Sequence, residues 1–201
     1  MIGIIDYGVG NVKAFLNVFH RLGIPAERVN TPQSISNVSS LILPGVGSFD
    51  HAMKALNESG MREALERSVL QDLTPILGIC VGMQMLTQTS DEGKLPGLGW
   101  LSAKVKSLDG LTDKPLPHMG WNTISFNPKC PLFKGFGESP LFYFLHSYYF
   151  SATNTNDVVA EANYGANFGC VVQKGNIFGI QCHPEKSHKC GELLLKNFSE
   201  L

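Results

Sequence analysis

The feature that most constrains this chain is a cysteine placed between two glycines, directly after a short apolar run. Residues 75–84 read Pro-Ile-Leu-Gly-Ile-Cys-Val-Gly-Met-Gln. The apolar run predicts a buried strand of a parallel sheet. The order Gly78-x-Cys80-x-Gly82 is typical of a nucleophile elbow, a sharp turn between a strand and a helix that a β-carbon at either glycine would crowd. The alternative is an ordinary strand–helix turn with a small core cysteine.

The elbow would give the cysteine a particular electrostatic environment. It places the Cys80 sulfur at the carboxyl end of its strand and at the amino end of the next helix. The free N–H groups and positive dipole end of that helix favour a thiolate. The sequence therefore predicts a reactive cysteine.

The first half of the chain alternates short apolar strands with amphipathic helices. Strands are expected at 2–5, 26–29, 41–43 and from 76 onward, with a helix capped by Asn11 and helical periodicity after Asp50. This alternation predicts βαβ units in a doubly wound sheet. Ligands bind at the carboxyl ends of such strands. The turns after Asp6, at Gly45–Gly47 and at Cys80 should therefore meet at one edge.

The pattern changes after about residue 98, where strand-like stretches replace helical periodicity. They cover 99–105, 122–126, 141–150, 158–164, 169–172 and 177–181, and a last helix is expected over 187–198. The expected fold class is α/β, with a doubly wound, mostly parallel sheet and an antiparallel, β-rich C-terminal half. The length suits a single domain spanning 1–201.

Composition and charge exclude several classes of protein. The formal net charge is -1, with no basic block, which argues against a nucleic-acid-binding surface. Five cysteines without a C-x-x-C pair indicate neither a disulfide framework nor a zinc site, and a reducing cytoplasm fits best. No apolar run is long enough to span a bilayer, and the first residues read as a strand and not as a signal peptide.

A second informative segment, residues 179–187, reads Gly-Ile-Gln-Cys-His-Pro-Glu-Lys-Ser. A cysteine nucleophile needs a nearby base, and the base needs an orienting partner. His183 and Glu185 could supply both, although a His-Pro-Glu sequence by itself is more often a capped turn before a helix. Cys182 should point to the opposite face of its strand from His183 and be a core thiol.

These two segments together resemble the class I (triad) glutamine amidotransferases. Four further motifs occur in order and narrow the resemblance to the glutaminase subunits of imidazole glycerol phosphate synthases. They are Asp-Tyr-Gly-Val-Gly-Asn at 6–11, Pro-Gly-Val-Gly-Ser-Phe at 44–49, Pro-His-Met-Gly-Trp-Asn at 117–122 and His-Ser-Tyr at 146–148. The resemblance extends from Met1 to the C-terminal Leu-Leu-Leu-Lys-Asn-Phe.

The resemblance implies a reaction and a role for each matching residue. Cys80 would attack the side-chain carboxamide of L-glutamine, His183 would act as base and then as acid, and Glu185 would orient the imidazole. The backbone N–H of Val81 would be the first oxyanion donor. The second would come from the oxyanion turn, after a peptide rearrangement made easy by its glycines; the turn consists of Gly45, Val46 and Gly47.

The resemblance also implies how substrate and partner are bound. Gln84 and Glu92 match positions that hold the α-amino and carboxylate end of glutamine, and Ser147 and Tyr148 match positions that contact the same end. No cofactor or metal is implied. Ammonia would pass to a (β/α)8-barrel synthase subunit in a heterodimer. The interface positions that match are Asn11, Trp121, Tyr143 and Lys186.

Two positions depart from the family's pattern. Trp100 stands where an aliphatic residue is common, and Cys182 where a large apolar residue is usual. The first departure keeps open a paralogous subunit that feeds ammonia to surface-polysaccharide or flagellin-sugar amination. A γ-glutamyl hydrolase or cysteine peptidase with the same Cys–His pair is a further alternative. So is a flavodoxin-like small-ligand binding module, although no G-x-G-x-x-G or Walker sequence supports it.

Overall fold

The computed structural model describes residues 1–201. The strands are β1 (Ile2–Ile5), β2 (Ala26–Val29), β3 (Ser40–Gly45), β4 (Ile76–Cys80), β5 (Thr89–Ser90), β6 (Ala103–Ser107), β7 (His118–Phe126), β8 (Leu141–His146), β9 (Tyr148–Ala152), β10 (Val158–Asn163), β11 (Asn167–Lys174) and β12 (Ile177–Ile180). The helices are α1 (Val12–Arg21), α2 (Phe49–Glu58), α3 (Arg62–Leu70), α4 (Val81–Met85) and α5 (His188–Ser199).

A parallel sheet with the order β2-β1-β3-β4-β12 forms the centre of the molecule. Every residue of β1, β3, β4 and β12 is buried. Strands covered on both faces read as continuous apolar runs, which is why these strands are visible in the sequence. The predicted α/β class is confirmed.

The second half extends this sheet with antiparallel strands, as predicted. β12 pairs antiparallel with β11 across the turn at Gly175, and the order continues through β10, β7 and β8. β9 pairs antiparallel with both β11 and β6 and so joins β6 to the sheet. None of the helices combines the length and apolar character needed to cross a membrane.

Three predicted elements differ from those observed. The helical region after Asp50 is two helices, because the chain turns at Gly60, whose φ is +74°. The strand-like stretch 141–150 is two strands divided at Ser147, β8 pairing with β7 and β9 with β6. The strand expected from residue 99 begins only at Ala103, because the backbone N–H groups of residues 97–99 and 101 bond back to residues 85–88.

The turn after Cys80 packs against β3 so closely that a side chain at residue 82 cannot fit. A β-carbon on Gly82 would lie 1.9 Å from the Leu43 carbonyl oxygen. We expect Gly82→Ala to lower the free energy of unfolding by roughly 2–3 kcal/mol, measured by urea denaturation. Gly137→Ala is the matched control, since Gly137 is exposed with open space around it; a loss of equal size there would contradict the packing argument.

Candidate active site

The three predicted turns do meet at one edge of the sheet. Gly45 at the end of β3 lies beside Cys80 at the end of β4 in the parallel register. The turn after β1 joins them, because the Tyr7 hydroxyl donates a hydrogen bond of 2.8 Å to the Pro44 carbonyl. Sequence-distant segments are thus brought together around the cysteine.

Cys80 has the backbone geometry of an elbow. Its φ and ψ are +56° and −114°, a conformation that residues with side chains rarely adopt and that persists only when the surrounding structure enforces it. The enforcement comes from Gly78 and Gly82, whose backbones approach too closely for any side chain. The following helix, α4, has only five residues, so its electrostatic effect on the sulfur comes from the free N–H groups of the first turn.

His183 and Glu185 form a buried pair at the end of β12. The imidazole Nδ1 lies 2.9 Å from Glu185 Oε1, and both side chains are about 95% buried, with exposures of 6% and 5%. The backbone around His183 is fixed to β8, because its N–H donates to the Tyr143 carbonyl and the Ser187 hydroxyl donates to its carbonyl. With Nδ1 used by Glu185, Nε2 is the nitrogen left for Cys80.

The imidazole is held in its protonated form. Burial lowers the pKa of His183, but the hydrogen bonds from its ring to Cys80 and Glu185, and the charges of both groups, outweigh burial and raise the pKa to about 9. At neutral pH an imidazolium therefore lies between the sulfur and the carboxylate. This arrangement places a cationic hydrogen-bond donor beside the Cys80 sulfur.

Most of the predicted site residues line one cleft of about 330 Å³. They are Val46, Gly47, Cys80, Val81, Gln84, Glu92, Ser147, Tyr148, His183 and Lys186. Gly45 and Glu185 are not among the lining residues but contact two of them: Gly45 lies beside Cys80 in the sheet, and Glu185 is hydrogen-bonded to His183. Three cleft residues were not predicted: Pro117, Leu145 and His146.

The two glycines of the oxyanion turn differ in their surroundings. A β-carbon on Gly45 would lie 2.3 Å from the Gly82 nitrogen, whereas one on Gly47 would meet nothing within 4 Å. Gly45 is thus fixed by packing, and Gly47, with a φ of +79° next to the exposed Val46, has room to move. Any peptide rearrangement in this turn is restricted to its second half.

Glu92 is tied to the oxyanion turn through helix α2. Its Oε2 accepts a hydrogen bond of 2.8 Å from the Phe49 N–H, the first of α2. In return the Asp50 carboxylate accepts hydrogen bonds from the N–H groups of Lys94 and Leu95, and these bonds lower the pKa of Asp50. The loop that carries Glu92 is therefore fastened beside the turn that would hold the oxyanion.

Gln84 presents a single type of group to the cleft. Its Nε2 donates to Gln181 Oε1 at 3.0 Å and to the Tyr148 carbonyl at 3.4 Å. Both amide hydrogens are thus used within the protein, and Oε1 has no protein partner. An oxygen that can only accept suits an ammonium group.

A buried pair of histidines supports the segment 147–148 and was not predicted as part of the site. His146 Nδ1 lies 2.8 Å from the Tyr148 carbonyl, which can only accept, so Nδ1 carries the proton. His146 Nε2 then accepts from His118 Nδ1 at 2.9 Å, and His118 Nε2 accepts from Asn122. Burial lowers the pKa of His118 to about 4 and that of His146 to about 3, so both rings are neutral.

Three of the four predicted interface residues cluster next to the cleft. Trp121 is 45% exposed; its ring stands edge-on to Tyr143 at 5.9 Å and stacks on His188 at 5.2 Å. The Lys186 ammonium lies 5.7 Å from the centre of the Tyr143 ring. The fourth, Asn11, is exposed and caps α1 by accepting the Ala14 N–H.

The exposed face around Trp121 is unusually apolar. Met119, Leu141 and Leu145 on β7 and β8 are 64%, 44% and 36% exposed. Together with Trp121 they form a patch, here called the β7–β8 face, beside the mouth of the cleft. Such contiguous apolar patches mark interaction sites.

Comparison with known proteins finds one matching family and several relatives that are similar over their full length. The model of the family "Glutamine amidotransferase class-I" matches residues 3–200. The chain is 52% identical to the imidazole glycerol phosphate synthase subunit HisH of Bdellovibrio bacteriovorus and 48% identical to that of Leptospira interrogans, each over 100% of both chains. It is 43% identical to subunit HisH 2 of Pseudomonas aeruginosa, again over 100% of both.

Solved structures show the same fold at low sequence identity. A crystal structure of a glutamine amidotransferase has a TM-score of 0.78 at 21% identity, covering 99% of this chain and 97% of that one. The PurLQS structure from Thermotoga maritima has a TM-score of 0.78 at 16% identity, covering 98% and 96%.

Proposed function

The chain belongs to the class-I glutamine amidotransferase family, and from that premise we propose that it hydrolyses L-glutamine as the glutaminase subunit of an imidazole glycerol phosphate synthase. The observation that carries the chemistry is the buried His183–Glu185 pair beside a cysteine on a strained elbow. The full-length identity to several HisH subunits carries the pathway, histidine biosynthesis.

In the first half of the reaction the Cys80 thiolate attacks the carboxamide carbon of glutamine. The carbonyl oxygen becomes an oxyanion, stabilised by the Val81 N–H and by an N–H of the oxyanion turn. The His183 imidazolium then gives its proton to the amide nitrogen. Ammonia leaves, and a glutamyl thioester on Cys80 remains.

In the second half water displaces the Cys80 sulfur from the glutamyl group. His183, now neutral, takes a proton from the water as it attacks the thioester carbon. The tetrahedral intermediate collapses, glutamate leaves and the thiolate–imidazolium pair is restored. Glu185 keeps the imidazole in one orientation throughout, because its Oε1 holds Nδ1.

Glutamine is held by its α-carbon end at the opposite side of the cleft. The Gln84 Oε1 and the Glu92 carboxylate accept from the α-ammonium, and the 147–148 backbone meets the same end of the molecule. This clamp on a free amino acid distinguishes the site from a peptidase, which needs an open groove for a chain on both sides of the bond. The cleft also contains a nucleophile and a base for a reaction, which a small-ligand binding module of flavodoxin-like type does not need.

The ammonia is delivered to a partner subunit with a (β/α)8-barrel fold, in a heterodimer. This partner covers the β7–β8 face, where Trp121 is the anchor, and Lys186 at the mouth of the cleft. A contact that shifts Tyr143 would also shift the backbone of the catalytic His183, because the His183 N–H donates a hydrogen bond to the Tyr143 carbonyl. No cofactor takes part in this half-reaction.

We expect weak glutaminase activity from the isolated chain and a stimulation of about 10²-fold on adding a histidine-pathway barrel synthase with its ribulose-phosphate ligand. The physical reason is the free second half of the oxyanion turn, since one oxyanion donor contributes about 10²–10³ in turnover. Glutamate release is the measurement.

Two variants sharpen this experiment. Trp121→Ala should keep the basal rate and lose most of the stimulation. Leu73→Ala removes another exposed apolar side chain, located before the start of β4 and so away from its Cys80 end, and should keep both. Full activity without a partner would contradict the gated turn. Basal hydrolysis that the synthase does not stimulate would favour a sugar-amination partner instead.

A further inference from the structure

One wholly buried side chain beside the Cys80 sulfur is an amide, that of Gln181, two residues before His183. Its Nε2 lies 3.8 Å from the sulfur, and its Oε1 accepts from Gln84 at 3.0 Å. We propose that Gln181 is a further catalytic residue, a neutral donor that stabilises the Cys80 thiolate. The proposal rests on the glutaminase function given to this site.

The orientation of the Gln181 amide follows from its neighbours. The Tyr148 carbonyl can only accept hydrogen bonds, so the Gln84 atom facing it must be the nitrogen. That same nitrogen faces Gln181, and the Gln181 atom that meets it must therefore be the oxygen. The remaining group of the amide, its NH₂, is left pointing at the sulfur.

The sulfur is the only hydrogen-bond acceptor near this NH₂ group. A buried donor without a partner is costly, and a charged acceptor makes the stronger bond. The amide therefore favours the thiolate over the thiol. Unlike His183, Gln181 has no proton to lose during the reaction, so it stabilises the thiolate both as attacking nucleophile and as leaving group.

The same amide joins the two ends of the substrate site. By accepting from Gln84 it fixes the oxygen that meets the glutamine ammonium, and by donating to Cys80 it acts on the atom that meets the carboxamide. A purely structural role would involve only the first of these contacts. The two roles can be separated by experiment, because only the second changes the ionisation of Cys80.

The test is the pH dependence of Cys80 alkylation by iodoacetamide, followed by peptide mass spectrometry on the whole isolated chain. Only the thiolate reacts. In Gln181→Met, which removes the amide, we expect the midpoint of the profile to rise by about 1 pH unit, a tenfold change in thiolate formation. Gln181→Glu, which keeps an acceptor for Gln84 but replaces the donor with oxygen, should raise it at least as far.

Asn197→Leu is the matched control. Asn197 is another buried amide, bonded to two carbonyls far from the cleft, and its loss should lower thermal stability without moving the alkylation midpoint. An unchanged midpoint in Gln181→Glu with only a higher KM for glutamine would overturn the proposal and leave Gln181 as a support for Gln84. Should Gln181→Met fail to fold, the Glu variant decides. Since no glutamine is needed for alkylation, this outcome is independent of whether glutamine is the substrate.

Discussion

Replacing Cys80 with alanine is expected to lower glutamate release from glutamine by about 10⁴-fold or more, while the protein stays folded. The loss is this large because no other thiol can replace Cys80. Cys130, Cys170 and Cys182 are buried, and burial raises the pKa of all three thiols. Steady-state glutamate release, with near-ultraviolet circular dichroism as the check on folding, measures the effect.

Cys190→Ala is the matched control for this substitution. Cys190 is half-buried on α5 and has no contact with the cleft, so its replacement should leave turnover near that of the wild type. Turnover of Cys80→Ala within tenfold of the wild type would refute the proposed triad. An intact turnover in Cys80→Ala that also remained insensitive to iodoacetamide would instead favour a site elsewhere on the chain.

The parallel core could be predicted from sequence because its strands are buried on both faces. Runs such as 41–43 and 76–79 contain no polar residue, and such runs between helices leave few topologies open. The meeting of the Gly45 and Cys80 turns then follows from parallel pairing alone. The close packing at Gly82 also follows from the elbow pattern, which needs a residue without a side chain at that position.

The second half of the sheet was harder to predict, since pairing there depends on distant segments. The stretch 141–150 is rich in apolar and aromatic residues along its whole length, and nothing local reveals that it divides at Ser147 to pair with two different strands. The division matters for the site, because Ser147 and Tyr148, at the break between the two strands, line the cleft. Similarly, residues 97–101 do not begin a strand, because the N–H groups of residues 97–99 and 101 are already bonded to the carbonyls of residues 85–88.

The polar networks around the site were invisible in the sequence for a related reason. His118 and His146 lie on neighbouring strands and contact each other only through the β7–β8 pairing. Gln181 reads as an ordinary strand residue until β12 is placed beside β4, where it meets Gln84 and Cys80. The two histidines did stand within motifs that the resemblance singled out, and this was the only available signal. Cys182, by contrast, was predicted as a core thiol and is fully buried.

Replacing His183 with alanine is expected to lower kcat/KM for glutamine by about 10³–10⁴-fold. The variant loses both the proton that the leaving ammonia requires and the cation that stabilises the thiolate. It should also alkylate more slowly at neutral pH than the wild type, because the Cys80 sulfur has lost its charged partner. An alkylation rate equal to that of the wild type would show that His183 does not contact the thiolate.

The pH dependence of the wild type provides the second measure of the same residue. The pKa of His183 is raised to about 9, so the imidazolium that protonates the leaving amide nitrogen is present at neutral pH and is lost as the pH rises through about 9; kcat/KM should fall there. In Glu185→Gln one of the groups that raise this pKa loses its charge, and the fall should begin at lower pH.

The stability of the folded chain should decrease over the same pH range. Protonation of His183 stabilises the folded chain fully below the unfolded value of 6.5, and that contribution disappears as the pH rises through about 9. The difference in unfolding free energy between wild type and His183→Ala should therefore shrink over this interval, and a difference that stayed constant would place the raised pKa, and with it the ion pair, in doubt.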